Sequence, residues 1–312
     1  MPESVVLVSP IAILAIVLVV RLAGCTFDSE GGGGPAPGLG EDSDYDGTVL
    51  EHEDLVAYWR LGEPDGATTA TDQKGGHDGT FETVTLAENG PGQSAATGSP
   101  PVLELGAPGQ LESDPEHTSV RVDGGYVEVP FDEALNPAAF SVEAWVVAEW
   151  DGNEALSNGL KPFRTVCSSR EVVGGNTRGF TLYAGPKIGV EDDGQVYWQA
   201  WIGDGSDQWR KVFGPVVDLN QVTYLAVTYD GTTLKLYVNG SQDTDGSPSG
   251  QEDFDFVANT SSPLHIGMGA PESPTPEFPF KGRLQEVALY SADLDPTVID
   301  NDRVVLGMTT GP

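Results

Sequence analysis

Positive charge is scarce in this sequence. Fifteen Lys and Arg residues stand against 48 Asp and Glu, so the 312 residues carry a formal net charge of −33 at pH 7. A surface of this sign repels phosphate backbones and anionic lipid headgroups. The composition therefore argues against nucleic acid as a partner. The same acidic, Lys-poor surface keeps a protein soluble, and it can also hold divalent cations.

Cysteine is nearly absent as well. The chain has two, Cys25 and Cys167, which are too few for a disulfide scaffold. Cys167 lies in the β-prone stretch 165–169, where we expect a small buried hydrophobic side chain rather than a reactive thiol. Histidine is also sparse, and the four residues have no spacing suited to zinc.

The first 25 residues differ from the rest of the chain. Residues 11–20 form an unbroken apolar run, which is too short to span a bilayer comfortably and fits the central region of an export signal. Residues 22–25, Leu-Ala-Gly-Cys, follow shortly after and resemble the lipobox of bacterial lipoproteins. In that family the signal is cut before the Cys, which is then acylated. The resemblance implies a signal segment over 1–24 and a lipid anchor on Cys25.

The start of this segment leaves an alternative open. Residues 1–4 lack the Lys or Arg with which export signals usually begin, so an uncleaved N-terminal anchor is the second interpretation. Both interpretations predict an outward-facing protein anchored to a membrane of the cell envelope. Thr26 is not the Asp that commonly retains lipoproteins in an inner membrane. The resemblance therefore implies the outer membrane wherever the envelope has two.

A spacer is predicted between this segment and the folded part. Residues 26–54 contain no Lys or Arg, nine of them are acidic, and a run of Gly and Pro occupies 31–37. A segment of this composition cannot bury enough apolar surface to fold. We predict a flexible linker over 25–54, a folded domain over 55–306 and a short tail over 307–312.

Short apolar runs with a period of two fill the chain from residue 55 onward. The 40 Gly and 23 Pro favour many short strands joined by turns. The clearest pair of runs flanks Asp230-Gly231 and predicts a hairpin with a type I′ turn. One helix signal lies near the C-terminus, where Asp295 can cap a helix that begins at Pro296. The pattern predicts an all-β sandwich or barrel with a short C-terminal helix.

Several short motifs occur in the order of a known family. They lie at residues 58–63, 68–80, 122–130, 140–145, 226–240, 264–267 and 280–290. Together they resemble the bacterial laminin-G-like jelly roll, a branch of the concanavalin A-like lectin and glucanase fold. The resemblance implies two antiparallel sheets packed face to face as a jelly-roll sandwich. Such domains bind glycans, glycosaminoglycans or proteins, and a minority hydrolyse glucans.

The catalytic carboxylates of the hydrolytic relatives are missing from this sequence. Those enzymes carry a Glu-x-Asp-x-x-Glu pattern on one strand, which places the acid and the nucleophile on the same face. Residues 191–193 start such a pattern but lack the second Glu and lie in a turn. Glu143 lies on a predicted strand, but its neighbours two positions away are Ser141 and Trp145. We therefore predict that the protein is not an enzyme.

The resemblance also implies a calcium site. Domains of this family often hold one Ca²⁺ between an early Asp loop and the penultimate strand. The matching residues are Asp72 and Asp78 in the loop and Gln285 and Glu286 in the strand. Gln285 replaces an acid of the family pattern, so it offers an amide oxygen without charge. The alternative is that Asp72 and Asp78 only form turns. No other cofactor is predicted.

Aromatic residues give the candidate ligand site. Tyr197 and Trp201 fall on one face of a predicted strand, Trp198 falls on the other, and Trp209 starts the next strand. Exposed rings at these positions could stack on sugars. The alternative is that the rings pack beneath loops.

These observations predict a surface-displayed, non-catalytic binding module that recognises a glycan or a matrix or envelope protein. One alternative is a structural or assembly protein of the cell surface that uses the sandwich for protein–protein contacts. A further alternative is a glycan hydrolase with rearranged carboxylates. The fold alone does not choose among these functions.

Overall fold

β-Strands dominate the computed structural model of the chain. The structure describes residues 45–85, 100–111, 117–156, 159, 161–188, 193–242 and 255–305. The predicted signal segment, Cys25, most of the predicted linker and the predicted tail lie outside the described residues. The helices are α1 (Tyr45–Leu50), α2 (Pro296–Val305) and a 3-10 turn (Glu133–Leu135). The strands are β1 (Leu55–Trp59), β2 (Thr69–Ala70), β3 (Gly79–Thr83), β4 (Val102–Ala107), β5 (Ser119–Asp123), β6 (Gly125–Val129), β7 (Phe140–Ala148), β8 (Arg164–Ser168), β9 (Glu171–Val173), β10 (Asn176–Arg178), β11 (Phe180–Gly185), β12 (Tyr197–Gly203), β13 (Trp209–Val216), β14 (Val222–Tyr229), β15 (Leu234–Val238), β16 (Ser241–Gln242), β17 (Leu264–Ile266) and β18 (Lys281–Tyr290).

Two antiparallel sheets form the domain. The first has the order β16-β15-β14-β7-β18-β5-β4, and β1 also pairs with β18. The second has the order β13-β12-β11-β8-β17-β6-β3-β2, while β9 and β10 form a separate hairpin. One edge of β18 holds β5 along residues 281–284 and β1 along residues 287–290. The arrangement confirms the predicted jelly-roll sandwich with a short C-terminal helix.

The main core lies between the two sheets. On β7 the side chains of Phe140, Val142 and Ala144 point into it, and on β12 those of Trp198 and Ala200 do so. Their alternation with outward-facing residues follows the period of two of a β-strand. Each large apolar side chain buried in this way contributes about 1.5–3 kcal/mol to the free energy of unfolding. The core thereby decides which residues reach the outer faces.

The outer face of the first sheet is buried as well. Tyr45 and Val49 of α1 and Ile299 of α2 lie in a second apolar cluster with Trp145 and Tyr290 of the sheet. The two α1 residues are four positions apart and share one face of the helix. The linker prediction did not foresee α1, because acidic residues dominate the composition of that stretch. No helix in the described part of the chain is long and apolar enough to cross a membrane.

The hairpin of β14 and β15 is present, but its turn is not of type I′. Tyr229 pairs with Leu234, so residues 230–233 form the loop. Gly231 has a φ of 98°, but Asp230 does not share this positive φ, which a type I′ turn requires at both positions. The Asp230 carboxylate instead accepts hydrogen bonds from the backbone N–H groups two and three residues later. This side-chain cap makes a longer loop stable.

A turn with type I′ character occurs one connection further along the chain. Val238 pairs with Ser241, which leaves Asn239 and Gly240 as the two loop residues between β15 and β16. Their φ angles are 54° and 78°, so both lie in the left-handed region. Asn and Gly are the residue types that adopt this conformation most readily.

Candidate functional site

The outer face of β11, β12 and β13 brings the predicted ligand residues together at one end of the second sheet. Tyr197 and Trp201 point outward from β12, on the opposite face from Trp198. Trp209 of β13 lies beside them, with its ring centroid 6.4 Å from that of Trp201. We call this surface the aromatic face. It comprises Tyr183, Tyr197, Trp201, Trp209, Lys211 and Phe213.

The rings of the aromatic face differ in exposure. Tyr197 and Trp201 are 7% and 8% exposed, whereas Trp209 at the sheet edge is half-buried. The indole N–H of Trp201 donates a 2.9 Å hydrogen bond to Oε1 of Gln199, which holds the ring in place. Tyr197 and Trp201 are thus packed rings, as the alternative interpretation predicted, rather than exposed ones. Trp209 is the predicted residue with a ring that solvent reaches more freely.

Basic side chains lie over these rings, which the sequence analysis did not anticipate. Lys187 Nζ is 4.0 Å from the ring centroid of Tyr197, and Lys211 Nζ is 4.1 Å from that of Trp201. Arg170 lies with its guanidinium carbon 5.4 Å from the ring centroid of Trp209. Ammonium and guanidinium groups are attracted to ring faces at such distances. The face is therefore both aromatic and cationic, in a strongly acidic protein.

Carboxylates accompany most of these cations. Asp193 accepts a hydrogen bond from the hydroxyl of Tyr197, and this bond, with smaller contributions that include the charge of Lys187, lowers the pKa of Asp193. Arg170 Nε donates to a carboxylate oxygen of Glu272 at 2.8 Å. Arg210, between Trp209 and Lys211 on β13, pairs with Asp204 at 2.7 Å, and the alternation of the strand directs it away from the aromatic face. Lys211 has no such ion pair among the described residues, and burial lowers its pKa.

Asp72 and Asp78 lie next to each other in the loop before β3. The Asp72 carboxylate is almost fully buried and accepts backbone N–H groups of Tyr58 at 2.9 Å, Lys74 at 3.0 Å and His77 at 3.1 Å. The Asp72 N–H in turn donates to Oδ1 of Asp78 at 2.9 Å. Both carboxylates thus fix the loop backbone, which is the turn-forming role.

Gln285 and Glu286 lie at an irregularity in β18. The register with β7 shifts between Gln285 and Ala288, and Glu286 has a φ of 53°. The Glu286 carboxylate is fully buried and accepts a hydrogen bond from the hydroxyl of Tyr58. Its other oxygen is 3.5 Å from Nε of Arg60, which supplies a counter-charge.

The carboxylates among the four predicted calcium ligands are hydrogen-bonded to other groups of the protein. Tyr58 bridges the two halves, since its backbone N–H donates to Asp72 and its hydroxyl to Glu286. Calcium takes six to eight oxygen ligands, whereas these carboxylates already accept N–H and O–H groups. Within the described ranges, no three His, Cys, Asp or Glu side chains are grouped as a metal site would require. The calcium site stays a prediction that this geometry does not support.

A family model of the concanavalin A-like lectin/glucanase superfamily matches residues 122–300. The chain belongs to this superfamily. The match agrees with the two-sheet sandwich described above and confirms the resemblance to the laminin-G-like jelly roll. No curated protein sequence matches the chain.

Several solved structures also resemble the chain, at low sequence identity. A sialidase of Trypanosoma rangeli, in complex with 2,3-difluorosialic acid, is 13% identical, with a TM-score of 0.52 over 83% of this chain and 34% of the sialidase. The binding domain of botulinum neurotoxin DC, in complex with rat synaptotagmin II, is 11% identical, with a TM-score of 0.50 over 84% of this chain and 53% of that one. Domain 4 of an extracellular arabinanase from Geobacillus stearothermophilus, in complex with arabinotriose, is 16% identical, with a TM-score of 0.49 over 80% of this chain and 98% of that domain. The likeness to the sialidase and to the neurotoxin domain shows a shared fold alone, and the chain spans about a third of the sialidase and about half of the neurotoxin chain.

The superfamily includes glucanases, so buried carboxyl groups are relevant. Glu143 on β7 is fully buried and accepts hydrogen bonds from the hydroxyls of Tyr224 and Tyr290, the latter at 2.8 Å. Burial, and then the charge of Asp302 on α2, raises the pKa of Glu143 to about 8. Burial raises the pKa of Asp302 to about 6. We call these four residues and Tyr45 of α1 the buried acid cluster.

Sequence reasoning missed the buried acid cluster for a simple reason. The glucanase pattern has its second carboxyl group on the same strand, whereas the carboxyl group next to Glu143 belongs to Asp302 on α2. α1 and α2 cover the cluster, and Glu143 and Asp302 are 0% and 2% exposed. Within the described part of the chain, both carboxyl groups are thus shielded from solvent, and burial raises their pKa values.

The structure describes one of the two cysteines. Cys167 lies in the main core, where burial raises the pKa of its thiol to about 12. This placement agrees with the predicted role as a small hydrophobic side chain. Cys25, the predicted lipidation site, lies outside the described residues.

Proposed function

We propose that the protein is a non-catalytic binding module displayed on the cell envelope, and that it recognises a glycan at the aromatic face. The observation that carries this proposal is the cluster of rings and cations on the outer face of β11–β13. Tyrosine and tryptophan combine a large apolar surface with a polar group, which suits ligands that are partly apolar and partly hydroxylated.

The position of Trp209 supports the sugar-binding role. It lies on β13, the edge strand of the second sheet, and it is the half-buried ring beside the buried Trp201. A ring packed beside a second, buried ring is held in place, which lowers the entropy lost on binding. The amines of Lys187 and Lys211 nearby can donate hydrogen bonds to hydroxyl oxygens.

The buried acid cluster supports the non-catalytic part of the proposal. Glycoside hydrolysis needs two carboxyl groups on either side of the scissile bond, with room for the sugar between them. Glu143 and Asp302 lie instead beneath α1 and α2, packed among Tyr hydroxyls. The raised pKa of Glu143 therefore reflects burial rather than an acid catalyst facing a substrate.

A protein ligand is the competing function. The binding domain of botulinum neurotoxin DC shares the fold and is in complex with a protein, rat synaptotagmin II. A domain that binds an envelope protein would use the sandwich as a protein–protein module. The experiment below separates the two cases.

The test is a glycan array probed with the full-length protein in mild detergent. We expect binding to a defined group of glycans, and we expect Trp209→Ala to abolish it by removing the stacking ring. Phe131→Ala is the matched control, because Phe131 is also partly exposed, at 38%, but lies in the loop after β6. A silent array together with a stoichiometric envelope protein that co-purifies with the chain would replace the glycan proposal with the protein-binding one.

A further inference from the structure

Lys211 differs from the other basic residues around the aromatic face. The charges of Lys187 and Arg170 are accompanied by the carboxylates of Asp193 and Glu272, as described above. The Lys211 amine lies over the Trp201 ring and has no ion pair among the described residues. The chain has 48 acidic residues and only 15 basic ones, so most of its ammonium groups can find a carboxylate partner. A lysine without one among the described residues is therefore unusual.

The surroundings of Lys211 make a charged amine without a carboxylate partner energetically unfavourable. The side chain is half-buried, and its pKa is lowered by burial with no carboxylate that opposes the shift. Removing an ammonium from water without a counter-charge disfavours its charged form. A bound anion would remove this cost by supplying the counter-charge that the described residues do not give to the Lys211 amine.

The positions of Trp209 and Lys211 also indicate where such an anion would bind. Trp209 and Lys211 are two positions apart on β13, so both side chains face outward about 7 Å apart along the strand. The amine is 4.1 Å from the ring centroid of Trp201, and that ring is 6.4 Å from Trp209. A sugar packed on Trp209 would therefore bring a carboxylate borne on its own ring, or on the next ring, to Lys211.

We propose that the ligand of the aromatic face is an acidic saccharide, a uronic acid type of sugar whose ring carboxylate pairs with Lys211 while the ring packs on Trp209. This inference rests on the proposed function, because it names the class of glycan that the same face takes. The carboxylate supplies the counter-charge that the described part of the chain does not give to Lys211.

The acidic residues around the face narrow the choice of anion. Asp193 and Glu272 interact with the residues of the aromatic face and accompany Lys187 and Arg170. A densely sulfated or phosphorylated chain would place several negative charges against these carboxylates. A saccharide with one carboxylate on a ring can pair with the Lys211 ammonium with less repulsion from these carboxylates.

The experiment compares each acidic saccharide with its own neutral form. Full-length protein in mild detergent is titrated with oligogalacturonate, alginate oligomers and hyaluronan oligomers, and with the methyl esters of the same oligomers. We expect at least one acidic oligomer to bind about tenfold or more tightly than its ester, as the loss of a charge-assisted contact implies. High salt should weaken the acidic form and leave the ester unchanged, since the salt screens only the charged pair.

Four variants test whether the difference comes from Lys211. Lys211→Met should bind the acid no better than the ester, whereas Lys211→Arg should keep most of the preference because it retains the charge. Lys235→Met changes the net charge equally but lies on β15 of the first sheet, so it should behave as wild type. Trp209→Ala should weaken binding of acid and ester alike.

The outcomes separate this inference from the proposed function. Equal binding of acid and ester, or an acid preference that survives in Lys211→Met, would overturn the acidic-saccharide inference and leave the glycan-binding function intact. If neither the acids and esters nor any glycan on the array binds, both are overturned together.

Discussion

The calcium prediction depends on Asp72 more than on any other residue. Its two carboxylate oxygens accept three backbone N–H groups, one of which comes from β1. These hydrogen bonds connect the loop before β3 to the strand that pairs with β18. A calcium ion would have to replace them, and each buried N–H left without an acceptor costs about 1–3 kcal/mol.

A comparison of Ca²⁺ with Mg²⁺ tests this residue directly. We expect the two ions to raise the melting temperature of chelator-treated protein equally, because both relieve the repulsion of a chain with a net charge of −33. Asp72→Asn should lower the melting temperature without ions, since the amide keeps only one acceptor oxygen, and it should leave both ion effects unchanged.

The opposite result would establish the calcium site. A specific site should favour Ca²⁺, because Mg²⁺ demands octahedral geometry and keeps its waters. Binding to the folded state alone stabilises it by about 2.7 kcal/mol at a hundredfold excess over Kd. A larger shift with Ca²⁺ than with Mg²⁺, lost in Asp72→Asn, would therefore contradict our expectation.

Single residues also show what the sequence could reveal about the aromatic face. The outward direction of Tyr197 and Trp201 follows from the period of two, and the structure places them that way. The same period of two could also have predicted that Lys211, two positions after Trp209, shares the face of Trp209. Arg170 and Lys187 were not, because they lie outside these two strands and only the tertiary fold brings them over the rings.

At the scale of elements, the buried acid cluster connects both helices to the first sheet. Glu143 lies on β7, Asp302 on α2 and Tyr45 on α1, and all three are buried. The remaining groups that face Glu143 are the hydroxyls of Tyr224 and Tyr290. Burial raises the pKa of all three tyrosines well above the ordinary value, so they stay protonated.

The cluster should make stability depend on pH. Glu143 and Asp302 have pKa values of about 8 and about 6 in the folded protein, against ordinary values of 4.5 and 3.8. The folded state therefore keeps protons that the unfolded chain releases, and the contribution of these groups falls as the pH rises from about 4 to about 8.

Glu143→Gln isolates this effect, because an amide has no proton to release. We expect its free energy of unfolding, measured with urea from about pH 5 to about pH 9, to fall less with pH than that of wild type. The difference in slope should accumulate to a few kcal/mol, on the order of the pKa shift converted at about 1.4 kcal/mol per unit. Glu104→Gln, at an exposed carboxylate on β4, is the control and should follow wild type. Parallel profiles for wild type and Glu143→Gln would show that Glu143 is already ionised in the folded protein.

The same elements show which features of the fold sequence patterns can predict and which they cannot. The strand β7 was evident from its alternation, but all nine of its residues are buried, which alternation alone does not foretell. The second covering layer comes from α1 and α2, and α1 lies in an acidic stretch that reads as linker. Similarly, Asp-Gly correctly predicted the hairpin of β14 and β15. The hydrogen bonds of the Asp230 side chain, however, stabilise a longer loop than the predicted type I′ turn. Local patterns identify elements, while contacts between distant elements decide burial and turn geometry.

At the scale of the whole molecule, the proposed function requires that the binding domain remain attached to the cell. A glycan-binding module with a net charge of −33 gains little from anionic membrane surfaces, so it needs a covalent or inserted anchor to stay there. The Leu-Ala-Gly-Cys sequence at residues 22–25 offers a lipid on Cys25, and the uncleaved apolar segment offers the alternative.

Labelling with a fatty-acid analogue decides between the two anchors. We expect the wild type to incorporate the label and to remain in the membrane fraction, and we expect Cys25→Ala to lose the label because the acylated thiol is gone. Cys25→Ala should also remain unprocessed or appear in the medium, since the lipobox is broken. Cys167→Ala is the matched control: it removes the only other cysteine, which is buried in the core, and should be labelled as the wild type is. Equal labelling of wild type and Cys25→Ala would contradict the lipoprotein interpretation, and an unlabelled wild type whose N-terminal residues 1–24 are retained would establish the uncleaved anchor instead.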